Sequence, residues 1–168
     1  AEVIFCPVSI AYATQIIKLA ASMGLDIPIL GSDTLDSNKV LEAAAGSDVQ
    51  LYVSTFYQEG GSPEFDDGIK AWLNEDSTAM TNNGGNDTIA AVTAMGYDAY
   101  YVALEALKAA GSTDAGAVKA ALPGVTYTGV TGVIAFDDIG DAIRDTAYIK
   151  VADTANSAWA LETMQKAG

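Results

Sequence analysis

Residues 3–31 read VIFCPVSIAYATQIIKLAASMGLDIPILG, and the order of patterns within them decides the fold class. The opening VIFCPV is apolar and β-branched as far as Pro7, as a buried strand is. Tyr12, Ile16, Leu19 and Met23 then recur at helical spacing, which predicts a helix with these four on one apolar stripe. Gly24 stands where a helix C′ residue does, and IPIL follows at once as a second short strand. Strand, helix and strand over so short a span form a βαβ unit, with parallel strands and a right-handed crossover.

Downstream, PILGSDTLDSNKV (residues 28–40) sets two acids and three hydroxyls between the strand and the next helix, NKVLEAAAG. Asp33 falls just past the strand's C-terminal end, where open α/β sheets bind their ligands. It competes there with a capping role, since Asp and Ser before a helix accept its free N–H groups. Asp36 and Ser37 lie closer to a helix starting near Asn38, so the capping duty is expected of them. QLYVSTFY reads as a third strand, and the Gly-, Pro- and acid-rich QEGGSPEFDDG as a connection to a helix around FDDGIKAWL.

A loop, TNNGGND, precedes a long helix over residues 88–110, in which Ile89, Val92, Met95, Gly96, Tyr100, Ala103, Leu107 and Ala110 keep roughly 3.6-residue spacing. STDAGAVKAAL predicts a shorter helix capped by Ser112 or Thr113. GVTYTGVTGVIAFDD has the alternation of extended chain, FDDIGD that of a turn, and AYIKV that of a final strand. The alternation predicts an α/β fold: parallel, Rossmann-like or flavodoxin-like sheets with helices on both faces. The irregular passages near residues 55–62 and 124–133 read as crossings between two lobes.

Composition narrows the chemistry. The 8 basic and 22 acidic residues give a net charge of −14 without a basic cluster, which argues against nucleic acid and anionic membrane surfaces as partners. With no His and one Cys, the chain lacks a Ser-His-acid triad, the usual zinc or copper ligands and a disulfide, and no metal or cofactor is expected. Cys6 reads as a buried strand residue. FDDIGD lacks the alternating oxygen ligands and closing Glu of a calcium loop, and NNGG and QEGGS lack a phosphate-loop pattern. Ser9, in the loop after the first strand, shares a sheet edge with Asp33, so the two can line one cleft; an N-cap for the helix from Ile10 is the competing reading. Asp98, Glu105 and Lys108 and the helical spacing make the tract TIAAVTAMGYDAYYVALEALKAAG a core helix rather than a membrane span. The chain opens on Ala1-Glu2-Val3 without an initiator Met, which leads to the expectation that a segment upstream has been removed.

Taken in order, AYATQIIKLAASMGLDIPILGSD, AMGYDAYYVALEALKAAGS and GVTGVIAFDDIGD resemble the carboxy-terminal half of the branched-chain amino-acid class of ABC-transporter substrate-binding proteins, which have the type I periplasmic-binding fold. The resemblance runs from about Val3 to Val151. It implies two α/β lobes with a small ligand between them: residues 1–57 in the second lobe, 58–127 in the first, 128–151 returning to the second, and 152–168 a tail. It implies further that Asp33 meets the α-ammonium of an amino acid, that Thr34 lines the site, and that Val92 faces the ligand side chain, with core packing its competing reading; the position of Ser9 is often a ligand-contacting aromatic in the family, a pattern from which Ser9 departs. An ABC permease, a missing amino-terminal half and a periplasmic or extracellular location, with anchoring through a lipid-modified Cys in that half, belong to the same expectation. A chain of this length alone is expected to bind weakly and to expose surface that invites dimerisation. The rival expectations are a ligand-sensing receptor domain on the same fold and a small flavodoxin-like enzyme domain. The enzyme calls for a second acid at the end of the first strand, where Pro7, Val8 and Ser9 stand instead.

Overall fold

The computed structural model describes residues 1–144 and 146–166. The βαβ unit forms as its patterns require: β1 (Ile4–Cys6), α1 (Ile10–Ser22) and β2 (Ile29–Gly31), with β1 and β2 parallel and Ile4 opposite Ile29. A 3-10 turn (Asp33–Leu35) leads into α2 (Asn38–Ala44), and β3 (Leu51–Thr55) pairs parallel to β2. The helical stretch follows as α3 (Pro63–Glu75), α4 (Ser77–Asn82), α5 (Ala91–Ala110) and α6 (Ala115–Ala121). A small antiparallel sheet, β4 (Tyr127–Gly129), β5 (Gly132–Phe136) and β6 (Ala142–Ile143), precedes β7 (Thr146–Asp153) and β8 (Ala158–Lys166).

The main sheet has the order β1-β2-β3-β7-β8, with β7 antiparallel to β3 and β8 antiparallel to β7, so it is mixed rather than wholly parallel. Beyond AYIKV the chain does not trail off; it turns back and adds β8 along the whole length of β7. The sheet core is one cluster that includes Ile17, Ile29, Leu35, Val40, Leu51 and Val53, all fully buried. Each such side chain contributes about 1.5–3 kcal/mol on burial. Cys6 belongs to this cluster, and burial pushes its thiol pKa up.

On two helices the apolar stripe read from spacing is not the face the structure buries. In α1, Ala13, Ile17 and Ala20 face the core, whereas Tyr12, Ile16, Leu19 and Met23 are exposed. Small side chains let the helix lie close to the sheet, and the larger stripe is left outside. In α5 the buried face is Ala91, Ala94, Asp98, Val102 and Ala106, while Val92, Tyr100 and Leu107 are exposed. Capping differs too: Asp114, rather than Ser112 or Thr113, accepts from the Ala117 amide at the start of α6.

The motifs GYDA and GVTG meet in space. Asp98, fully buried on α5, accepts hydrogen bonds from the Val130 amide (2.9 Å), the Thr131 amide (2.8 Å) and the Thr131 hydroxyl (2.6 Å). The carboxylate presses so closely on Gly129 that a Cβ there would overlap it. Arg144 donates to the Thr131 carbonyl and hydroxyl and lies over the Phe56 ring at 5.1 Å, tying this turn to the chain that leaves β3. Gly111 ends α5 in the left-handed conformation, φ 58°, that a helix C′ residue adopts.

Candidate functional site

A cavity of 630 Å³ opens between the main sheet and the helical stretch. One wall is built from the chain that leaves the C-terminal ends of β1 and β2, including Ser9, Asp33 and Thr34; the other comes from the loop after α4 and the first turn of α5, including Asn83, Val92 and Thr93. The four residues singled out in the sequence, Ser9, Asp33, Thr34 and Val92, all line this one cavity.

Their local partners are few. Ser9 occupies the N-cap position of α1 with extended backbone angles, yet its hydroxyl makes no capping bond. The Asp33 side chain is half-buried and has no hydrogen bond or ion pair from the described residues, although it stands in the first turn of its 3-10 segment. Thr34 bonds the Val8 carbonyl (3.2 Å) and the Ser32 hydroxyl (2.8 Å), fixing the turn after β2 to the loop after β1. Val92 is 70 % exposed, so it faces the opening rather than the core. What the cavity offers is a carboxylate with its hydrogen-bonding capacity unspent, hydroxyls beside it and a mixed wall opposite, where Val92 and Met95 stand among Asn82, Asn83 and Thr93.

Asp36 was expected to share the capping of α2 with Ser37. Ser37 alone does so, accepting from the Lys39 amide at 3.2 Å. Asp36 is instead buried at 3 % exposure and accepts at one oxygen, Oδ2, from Thr55 Oγ1 (2.9 Å), the Ala91 amide (3.1 Å) and Lys150 Nζ (2.9 Å). Sequence reasoning missed this group because its partners lie 19, 55 and 114 residues away. The one available signal was a lysine inside an apolar strand, AYIKV, which calls for a buried counter-charge. Among the described residues no group of three or more His, Cys, Asp or Glu side chains is placed to hold a metal ion, and no helix is long and apolar enough to cross a membrane.

The family model described as "Periplasmic binding protein" matches residues 1–156. The chain belongs to the periplasmic binding protein family. Solved structures of this family share its type I fold. A leucine-binding protein, LivK, from Thermotoga maritima superposes with a TM-score of 0.76 at 23 % identity, covering 98 % of this chain and 45 % of its own. LivJ from Streptococcus pneumoniae, solved with isoleucine, gives 0.66 at 22 % identity, with 98 % and 44 % covered. A solute-binding protein from R. palustris in complex with benzoate gives 0.73 at 17 % identity, with 99 % and 44 % covered. The chain therefore spans less than half the length of these relatives. No match was found among curated protein sequences.

Proposed function

We propose that this chain is the carboxy-terminal portion of an extracytoplasmic solute-binding protein that captures an amino acid between two lobes and delivers it to an ABC importer. The observation that carries the reading is the unengaged Asp33 carboxylate at the C-terminal end of a parallel strand, in a cavity it shares with Ser9 and Thr34. A zwitterion needs a carboxylate for its ammonium, donors for its own carboxylate, and a cleft that excludes water. Asp33 supplies the first and the hydroxyls part of the second; Val92 meets the ligand's side chain from the opposite wall. In this reading the remaining donors come from the part of the fold that lies outside this chain.

In this reading residues 1–57 and 128–151 lie in the second lobe and residues 58–127 in the first. The strand β8 completes the second lobe's sheet. The location is periplasmic or extracellular, with a lipid anchor in the amino-terminal portion, and the activity is binding rather than catalysis. Relatives solved with leucine and with isoleucine support a branched-chain amino acid as the ligand.

A thermal-shift series on the complete protein tests this. L-leucine or L-isoleucine at about a hundred times its dissociation constant adds about 2.7 kcal/mol and raises Tm by several degrees. Benzoate, which has no ammonium, gains nothing from Asp33, so a shift with benzoate alone refutes the amino-acid reading. Asp33→Asn removes the amino-acid shift and leaves the ligand-free Tm within a degree or two. A large fall in ligand-free Tm makes Asp33 structural instead.

A further inference from the structure

We propose that Asp36 is the positioning residue of the cleft: its carboxylate fixes the wall that carries Asp33 to the wall that carries Val92. The inference rests on the ligand reading of that cavity for its consequence, and on the geometry of Asp36 for its cause.

Three segments converge on Asp36 Oδ2. Thr55 ends β3, where the chain leaves the main sheet; Ala91 begins α5, on the far wall; Lys150 lies in β7, where the chain has returned. Ala90, the N-cap residue of α5, has no side chain to cap with, so the helix borrows its acceptor and its complementary negative charge from Asp36. That bond sets where the first turn of α5 begins, and with it the place of Val92 and Thr93. On the near wall the Asp36 amide bonds the Asp33 carbonyl at 3.1 Å, closing the 3-10 turn that presents Asp33. The β7–β8 register shifts between Ile149 and Lys150, beside the lysine that completes the group.

Fold stability alone is a poor reason for such a group. The side chains of Lys150 and Asp36 are 3 % and 1 % exposed, and the desolvation of two charges offsets most of their attraction. An apolar pair of similar volume offsets the loss of the ion pair, but it leaves the buried Thr55 hydroxyl and Ala91 amide without their acceptor. What an apolar pair lacks is direction, and three donors on one oxygen have it: they define the angle between the two walls.

The test uses the complete protein with nitroxide labels at Lys18→Cys and Ala109→Cys, exposed sites on α1 and α5 outside the cavity. Cys6 is buried and stays unlabelled. The double variant Asp36→Leu/Lys150→Met lowers ligand-free Tm by several degrees, because the Thr55 hydroxyl and the Ala91 amide lose their acceptor. Its label-to-label distance distribution, read by pulsed electron resonance without ligand, broadens, and its affinity for L-leucine falls at least tenfold. Asp36→Asn, which keeps an acceptor for Thr55 and Ala91, broadens the distribution less and serves as the decisive variant if the double does not fold. An unchanged distribution together with unchanged L-leucine affinity overturns the proposal and leaves Asp36 a packing residue. Should the parent itself fail to bind L-leucine, the amino-acid reading falls, while the ligand-free distance measurement still decides the role of Asp36.

Discussion

The main sheet and the helical stretch are built on different terms. Helices α1 and α2 lie on a sheet that the chain itself provides, and their inner faces join β1, β2 and β3 in a single cluster of fully buried side chains. Helices α3 to α6 have the short β4–β6 ribbon beside them in place of the main sheet; the buried apolar residues of α5 divide between two small clusters, and α6 buries none at all. Both portions expose large apolar side chains: Tyr12, Leu19 and Met23 on one, Val92 and Tyr100 on the other. Helix amphipathicity states that a face wants cover, whereas the fold states which face has it.

Four measurements sharpen or break that contrast. The largest effect belongs to the sheet core, where Leu51→Ala costs about 2–5 kcal/mol in urea unfolding because the cavity left in a packed cluster does not collapse. A cost under about 1 kcal/mol would mean that the sheet core is as loose as the helical one. Next comes Asp98→Ala, at about 2–3 kcal/mol, since it orphans two amides and a hydroxyl. Amide hydrogen exchange should quicken first at Val130 and Thr131; protection there equal to the parent's argues against the assignment.

A smaller effect is expected at high pH. Burial, followed by the bond to Asp66, raises the Tyr57 hydroxyl pKa above its ordinary value, and hydrogen bonding to Tyr101 pushes Tyr97 up to about 12. The folded chain keeps these protons while the unfolded chain releases them near pH 10, so stability is fully present below that pH and declines as pH rises through it. Urea midpoints at pH 8 and pH 11 measure the decline, and Tyr57→Phe should reduce its slope; an identical slope assigns the effect to other groups.

The smallest effect is the most telling. Leu19→Ser and Tyr100→Ser in the 168-residue chain should each change stability by under about 0.5 kcal/mol, because both side chains are largely exposed. In the complete protein each should cost more than about 1 kcal/mol if further chain covers these stripes. Equal costs in the two chains would mean the stripes stay bare, and sedimentation of the shorter chain would then show whether they pair with a second copy.

Much of this was legible because it is local. The βαβ unit follows from spacing within residues 3–31, and the place of Asp33 from its position after a strand. The choice of inward face on α1 was not legible, since Ile16 and Ile17 are adjacent and both apolar, and periodicity alone cannot rank two overlapping stripes. The capping of α6 failed for a similar reason: Ser112, Thr113 and Asp114 are all good acceptors, and a shift of one residue decides among them. Asp36 was out of reach altogether, because its role is set by Thr55, Ala91 and Lys150, which meet only once the chain has folded.

The contact between Asp98 and Gly129 bears on how such a chain diversifies. With no room for a Cβ at 129, a side chain gained there demands a shorter residue at 98, and a shorter residue at 98 strands the amides of 130 and 131. Each step is costly when taken first, so substitutions at 98 and 129 should be strongly non-additive in a double-mutant cycle.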